Sequence, residues 1–225
     1  MSILPLSEKQ EDLEQPGLSG LSGEPAATSL AELYRAVMTS LARTIGSTGI
    51  HPNALTVISF LPSIAAGYAA SQGALIDAAL LFLFGGVFDL LDGAVAREMG
   101  KTSTFGALLD STLDRLSDAA IPAGLALFYA PYGAVAIIPI LALIAGFIVS
   151  YIRARAEGLQ LELPRLWMRR EDRLVVMVVA LFLAPVRVPG LPIAGGLTLV
   201  LFAVLAVASF ASGVMALAVA ARLDV

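Results

Sequence analysis

Between positions 88 and 118 the chain reads FDLLDGAVAREMGKTSTFGALLDSTLDRLSD, gathering Asp89, Asp92, Asp110, Asp114 and Asp118 with Glu98, Arg97, Lys101 and Arg115. Asp89, Asp92, Gly93, Ala96 and Arg97 fall at i, i+3, i+4, i+7 and i+8, so a helix puts them on one face. Gly106, Asp110, Asp114 and Asp118 recur every fourth residue and make a second stripe. The connection EMGKTSTF is short enough to make the two helices antiparallel neighbours with their acidic stripes facing. Converging carboxylates form an oxygen-rich site for a hard cation such as Mg²⁺ or Mn²⁺, and Mg²⁺ commonly brings phosphate oxygens with it. Gly93 and Ala96 leave room beside the carboxylates, and Arg97 is placed to meet a phosphate.

The rest of the chain must hold this charge in an oily setting. Of 225 residues, 58% are hydrophobic and 14% charged, where soluble domains carry about a quarter charged residues; the mean hydropathy is +0.85. The expected fold is an all-α integral membrane protein. Its six transmembrane helices fall near 54–71, 74–97, 105–129, 133–157, 173–188 and 191–221, where ~20 residues span a bilayer and the fifth is short. An ionised side chain in that setting costs several kcal/mol unless it is paired, hydrated or metal-bound. Ahead of the first span, Leu30, Leu33, Val37, Leu41 and Ile45 recur at helical spacing. This reads as an amphipathic juxtamembrane helix over 29–50, either lying on the membrane surface or packed on the bundle. Residues 1–28 are rich in Glu, Ser, Gly and Pro without an apolar segment, and read as a disordered cytosolic tail rather than a signal peptide. The third unit is the six-helix domain, 51–225.

Six spans place twelve of the 14 Lys and Arg residues on one side, Arg187 alone on the other and Arg115 inside the third span. The positive-inside rule then puts both termini in the cytosol of a cell-membrane, multi-pass protein. Small residues such as Gly85, Gly86, Gly106, Gly124 and Gly146 permit close helix packing in lipid. The chain has no cysteine, which excludes disulfides and thiolate metal sites, and its net charge of −4 gives no reason to expect nucleic acid as a partner. His51, the only histidine, stands before Pro52 at the first span and reads as an interfacial or capping residue.

The run Asp89-x2-Asp92-Gly93-x2-Ala96-Arg97-x8-Gly106-x3-Asp110-x3-Asp114 matches the signature of the CDP-alcohol phosphotransferase (phosphatidyltransferase) family, and the chain resembles it over roughly 51–221. The resemblance implies a six-helix membrane enzyme, usually a homodimer, that moves a phosphatidyl-type group from a CDP-lipid to an alcohol and releases CMP. It implies that Asp89, Asp92, Asp110 and Asp114 hold two divalent ions, Mg²⁺ or Mn²⁺, and that Asp114 is also the general base. Asp92, Gly93, Arg97 and Ser103 would contact the cytidine diphosphate. Pro52-Asn53-Ala54-Leu55-Thr56 resembles the family's Pro-Asn-x-Leu-Thr, which adds Asn53 and Thr56 to that set. The competing reading, a cation-coupled transporter, expects acids spread over several spans, whereas here they cluster on one hairpin. Asp118 is either a partner for Arg115 or a member of the site.

The acceptor must be read elsewhere. Arg153 and Arg155 end the fourth span, and Arg165, Arg169, Arg170 and Arg173 follow before the fifth. Topogenic charge is one reading of this cluster; arginine forks for a substrate phosphate are the other. Ser150-Tyr151-Ile152-Arg153-Ala154-Arg155-Ala156-Glu157, with LDSTLDRLSD at 109–118, resembles the phosphatidylinositol phosphate and archaetidylinositol phosphate synthases. That likeness implies inositol phosphate as acceptor, with Ser150, Arg153, Arg170 and Arg173 around its phosphate. The alternatives are glycerol phosphate, serine or another polyol phosphate. The chain departs from the inositol pattern at Arg169-Arg170-Glu171-Asp172-Arg173, where Glu-Arg-x-Glu-Arg is usual, and at 212–216, which lacks an arginine.

Overall fold

The computed structural model describes residues 30–164 and 167–223, without the side chains of residues 30, 31, 33–35 and 223. The expected tail, 1–28, and Arg165 lie outside the described residues. The described residues are helical, with no strand beyond an isolated bridge between Val188 and Leu191. The helices are α1 (Leu30–Ser47), α2 (Pro52–Ser71), α3 (Leu75–Glu98), α4 (Thr104–Tyr129), α5 (Ile137–Gly158), α6 (Arg170–Phe182) and α7 (Gly196–Leu223). Four stretches are long and apolar enough to cross a membrane: Pro52–Ser71, Leu75–Glu98, Thr104–Gly158 and Gly196–Arg222.

The third of these stretches is two helices. A 3-10 segment, Ala130–Ala136, joins α4 to α5, and Gly133 within it has φ 75°, which breaks the helix and lets α5 fold back against α4. The fifth expected span is shorter than foreseen. α6 starts at Arg170 and stops at Phe182, 13 residues in all. Pro185 has no N–H to give the preceding turn and disfavours helical backbone at Ala184.

Local chemistry sets the other ends. His51 caps α2, its Nδ1 accepting from the Asn53 N–H at 3.2 Å, with Pro52 in the first turn. Ser103 caps α4, its Oγ accepting from the Gly106 N–H at 3.0 Å. At the start of α6 the Arg169 N–H donates to Asp172 Oδ2 at 3.1 Å. Each satisfies a backbone N–H that the first turn leaves without a helical partner.

Packing follows the small residues. A Cβ on Gly67 would lie 2.6 Å from the Ala120 carbonyl oxygen, and one on Gly124 would collide with the Gly67 carbonyl oxygen, so α2 and α4 meet backbone to backbone. Ala66, Ala70, Ala78 and Ala79 are buried around that crossing, and Phe82, Ile121, Leu125, Leu181 and Phe202 fill the core beyond it. Leu61, Ile64, Leu80, Phe84, Leu127, Val204, Val207 and Phe210 face outward, leaving an apolar exterior. Two buried hydroxyls tie α7 to its neighbours: Tyr129 donates to the Gly195 carbonyl at 2.7 Å, and Thr198 to the Ala180 carbonyl at 2.8 Å. α1 lies against α3, with Ala42 buried beside Leu55 and Val95 and Arg43 paired to Glu98 at 2.6 Å. Val37 and Leu41 remain exposed on it.

The alternation of antiparallel helices brings the start of α2, the end of α3, the start of α4, the end of α5 and the start of α6 to one end of the bundle. The acidic stripes and most of the arginines are there.

Candidate functional site

α3 and α4 bring Asp89, Asp92 and Asp110 together, each offering an oxygen within 4.8 Å of the others. Asp92 is 4% exposed, and its Oδ2 is buried with no hydrogen-bond partner. A buried carboxylate oxygen left unpaired is costly. A divalent cation satisfies it, and three convergent carboxylates are the donor set that a hard cation prefers. The residues present therefore fit the implied metal.

Asp114, the fourth expected ligand, is not among those three. Its Oδ1 forms an ion pair with Arg170 Nη2 at 2.8 Å. Arg170 also turns Nε toward both oxygens of Asp118, each at 3.3 Å. Asp118 is thus tied to α6 and not to Arg115. Arg115 donates instead to the carbonyl and hydroxyl of Ser111 on its own helix.

Two cavities flank α4. The first, of about 150 Å³, is lined by Asn53, Thr56, Asp92, Gly93, Arg97 and Ser103, the residues expected to hold the nucleotide, and also by Asp110. Arg97 folds back over Gly93, whose missing Cβ would touch the guanidinium at 3.4 Å. A Cβ on Gly106 would press on Ser103 Oγ at 3.1 Å and Asn53 Oδ1 at 3.2 Å. These two glycines keep the cavity open. Lys101 and Thr102 line it too. Sequence reasoning passed over both, although their place in the connection between the acidic helices was the available signal.

The second cavity, of about 330 Å³, is lined by Ser150, Arg153, Arg170 and Arg173, the expected acceptor set, together with Asp114, Asp118 and Arg169. Arg173 is 8% exposed and spreads across α5, donating from Nη2 to Ser150 Oγ at 2.9 Å and from Nη1 to the Met168 carbonyl at 2.8 Å. Gly146, one turn before Ser150, gives it room: a Cβ there would stand 2.9 Å from Arg173 Nε. The sequence marked Gly146 as a packing residue only. At 212–216, which lacks an arginine, Ser212 donates to the Trp167 carbonyl at 2.6 Å and steadies the segment leading into α6. Asp110 lines the first cavity and Asp114 the second, so consecutive turns of α4 connect them.

Known proteins share this arrangement of sequence and fold. Archaetidylinositol phosphate synthase of Pyrococcus horikoshii is 46% identical over 118 residues, 52% of this chain and 61% of its own length. The same-named enzyme of Methanothermobacter thermautotrophicus is 40% identical over 125 residues, 55% of this chain and 62% of its own. The chain thus matches less than two thirds of the length of these two relatives. The structure of Mycobacterium tuberculosis phosphatidylinositol phosphate synthase with CDP-DAG bound superposes with a TM-score of 0.72 at 31% identity, covering 82% of this chain and 94% of that one. The same enzyme in complex with manganese and citrate gives 0.72 at 32%, covering 81% and 88%. The family profile described as CDP-alcohol phosphatidyltransferase matches residues 49–223, which takes in both cavities and every carboxylate between them. This chain belongs to the CDP-alcohol phosphatidyltransferase family.

Proposed function

We propose that the protein transfers the phosphatidyl group of CDP-diacylglycerol to a hydroxyl of inositol phosphate and releases CMP. The observation that carries this reading is the pair of cavities joined by Asp110 and Asp114, one lined by the signature residues and the other by arginines. The relatives named for archaetidylinositol and phosphatidylinositol phosphate synthesis support the acceptor. The neighbouring structures with CDP-DAG and with manganese support the donor and the metal.

Asn53, Thr56, Asp92, Gly93, Arg97 and Ser103 bind the cytidine diphosphate, Gly93 by admitting it close to the backbone and Arg97 by meeting a phosphate. Asp89, Asp92, Asp110 and Asp114 hold Mg²⁺ or Mn²⁺, two ions per site. Such ions, when bound, neutralise the phosphate oxygens of the donor. Ser150, Arg153, Arg170 and Arg173 orient the acceptor through its phosphate. Asp114, on the wall of the second cavity one turn from Asp110, takes the proton of the attacking hydroxyl. A bond forms from the acceptor oxygen to the lipid-side phosphorus as the bond to the CMP oxygen breaks, and the proton stays on Asp114.

The same reading divides the chain into a tail at 1–28, a surface helix at 29–50 and a domain at 51–225. α2–α7 make six crossings of the cell membrane, both termini are cytosolic, and two copies associate as a homodimer. α1, packed on α3 with Val37 and Leu41 outward, suits a helix at the membrane surface.

The test supplies CDP-diacylglycerol, Mg²⁺ and either inositol phosphate or glycerol phosphate to the purified protein and measures CMP. Turnover is expected with inositol phosphate; turnover with glycerol phosphate alone reverses the acceptor assignment. Asp114→Asn is expected to lower turnover by about 10²–10⁴-fold, the usual contribution of a general base, while CDP-diacylglycerol still binds. Wild-type turnover in that variant removes Asp114 as the base.

A further inference from the structure

Asp114 has two claimants. On one side Arg170 Nη2 holds its Oδ1 at 2.8 Å. On the other, one turn back along α4, stands Asp110 with Asp89 and Asp92, the cluster that fits a cation. Arg170 is in turn divided between two carboxylates, since its Nε faces both oxygens of Asp118 at 3.3 Å. Both edges of this one guanidinium are thus engaged by carboxylates. In this arrangement Arg170 is a poor receptor for a phosphate, although it is one of the arginines lining the cavity.

We propose that Asp114 is a shared ligand that couples the two cavities. A cation bound beside Asp89, Asp92 and Asp110 draws Asp114 from Arg170. The freed Nη edge of Arg170 then serves the phosphate of the acceptor, while Asp118 keeps the Nε edge in register. Arg170 is therefore a positioning residue for Asp114 before the acceptor arrives and a phosphate ligand afterwards. Asp118 is the anchor that makes the exchange possible without losing Arg170 from the cavity wall. Binding at the two places is mutually reinforcing, and linkage makes the effect reciprocal: what tightens the acceptor on cation binding must tighten the cation on acceptor binding. The acceptor half of this inference rests on the phosphorylated-alcohol reading above; the Asp114–Arg170 half does not.

The experiment measures Mn²⁺ affinity of the full-length, detergent-solubilised protein by the electron paramagnetic resonance signal of free Mn²⁺, with no turnover involved. Saturating inositol phosphate is expected to tighten Mn²⁺ binding by about fivefold or more, the lower end of ordinary coupling between sites. Arg170→Gln, without inositol phosphate, is expected to show a comparable gain and to lose the response to inositol phosphate. Arg170→Lys, which keeps the charge but not the fork, is expected to show a smaller gain. Arg169→Gln removes the same charge from the same cavity and serves as the control, with Mn²⁺ affinity staying within about twofold because it does not touch Asp114. No gain in either Arg170 variant overturns the proposal, as does a gain in Arg169→Gln equal to that in Arg170→Gln. A gain in the Arg170 variants with no response of the wild type to inositol phosphate upholds the contest for Asp114 and overturns its coupling to the second cavity, while the acceptor itself is decided by the CMP assay above.

Discussion

Gly146→Ala adds one methyl group beneath Arg173 and tests whether that side chain must lie where it does. The new Cβ would stand 2.9 Å from Arg173 Nε and 3.2 Å from Cδ. Carbon contacts are comfortable from about 3.5 Å, so the side chain has to lift by roughly half an ångström. It cannot do so freely, because Nη1 and Nη2 already hold the Met168 carbonyl at 2.8 Å and Ser150 Oγ at 2.9 Å, and the residue is 8% exposed. A hydrogen bond to a charged group contributes about 1.5–3 kcal/mol. Losing one such bond, or the equivalent bond to the acceptor phosphate, at about 1.4 kcal/mol per factor of ten corresponds to a tenfold effect or more. The assay is CMP release against inositol phosphate concentration at saturating CDP-diacylglycerol and Mg²⁺. The KM for inositol phosphate is expected to rise about tenfold, and that for CDP-diacylglycerol to stay within about twofold, since Gly146 does not line the first cavity. An unchanged KM for inositol phosphate, in a variant that melts like the wild type, refutes the assignment of Arg173 to the acceptor.

Two further outcomes follow from buried polar atoms. Mg²⁺ or Mn²⁺ at about 100 times its dissociation constant should stabilise the fold by about 2.7 kcal/mol, a shift of about 5–10 °C in a chain of this size. Asp92→Asn should lose most of that shift in the same thermal melt, and a wild type indifferent to added cation would remove the metal from this cluster. Tyr129→Phe deprives the buried Gly195 carbonyl of its donor at 2.7 Å, which should cost about 1–3 kcal/mol of stability in a denaturation assay while both KM values hold. Equal stability would mean that the tie between α4 and α7 is dispensable.

Much of the site was legible because its parts are local. Asp89, Asp92 and Asp110 meet because helical periodicity puts the acidic positions of α3 and α4 on facing stripes and a short connection makes the helices neighbours. The residues that the family resemblance implies for the nucleotide line one cavity because they are drawn from the first turn of α2 and from the hairpin itself. The start of α2 followed from capping chemistry at His51. These are properties of the backbone and of residues within a turn or two of each other.

What sequence alone could not decide depends on which distant groups meet. Arg115 stood beside Asp118 in the chain, yet its side chain folds along its own helix to Ser111, leaving Asp118 to Arg170, 52 positions away. Asp114 was grouped with the other acids by its spacing, and only the approach of α6 gives it an arginine in place of a place in the triad. Gly146 looked like any small residue in a membrane helix until α6 laid Arg173 across it. Periodicity determines the face on which a side chain stands. The partner it finds there depends on how helices from remote parts of the chain cross, and that is a property of tertiary packing.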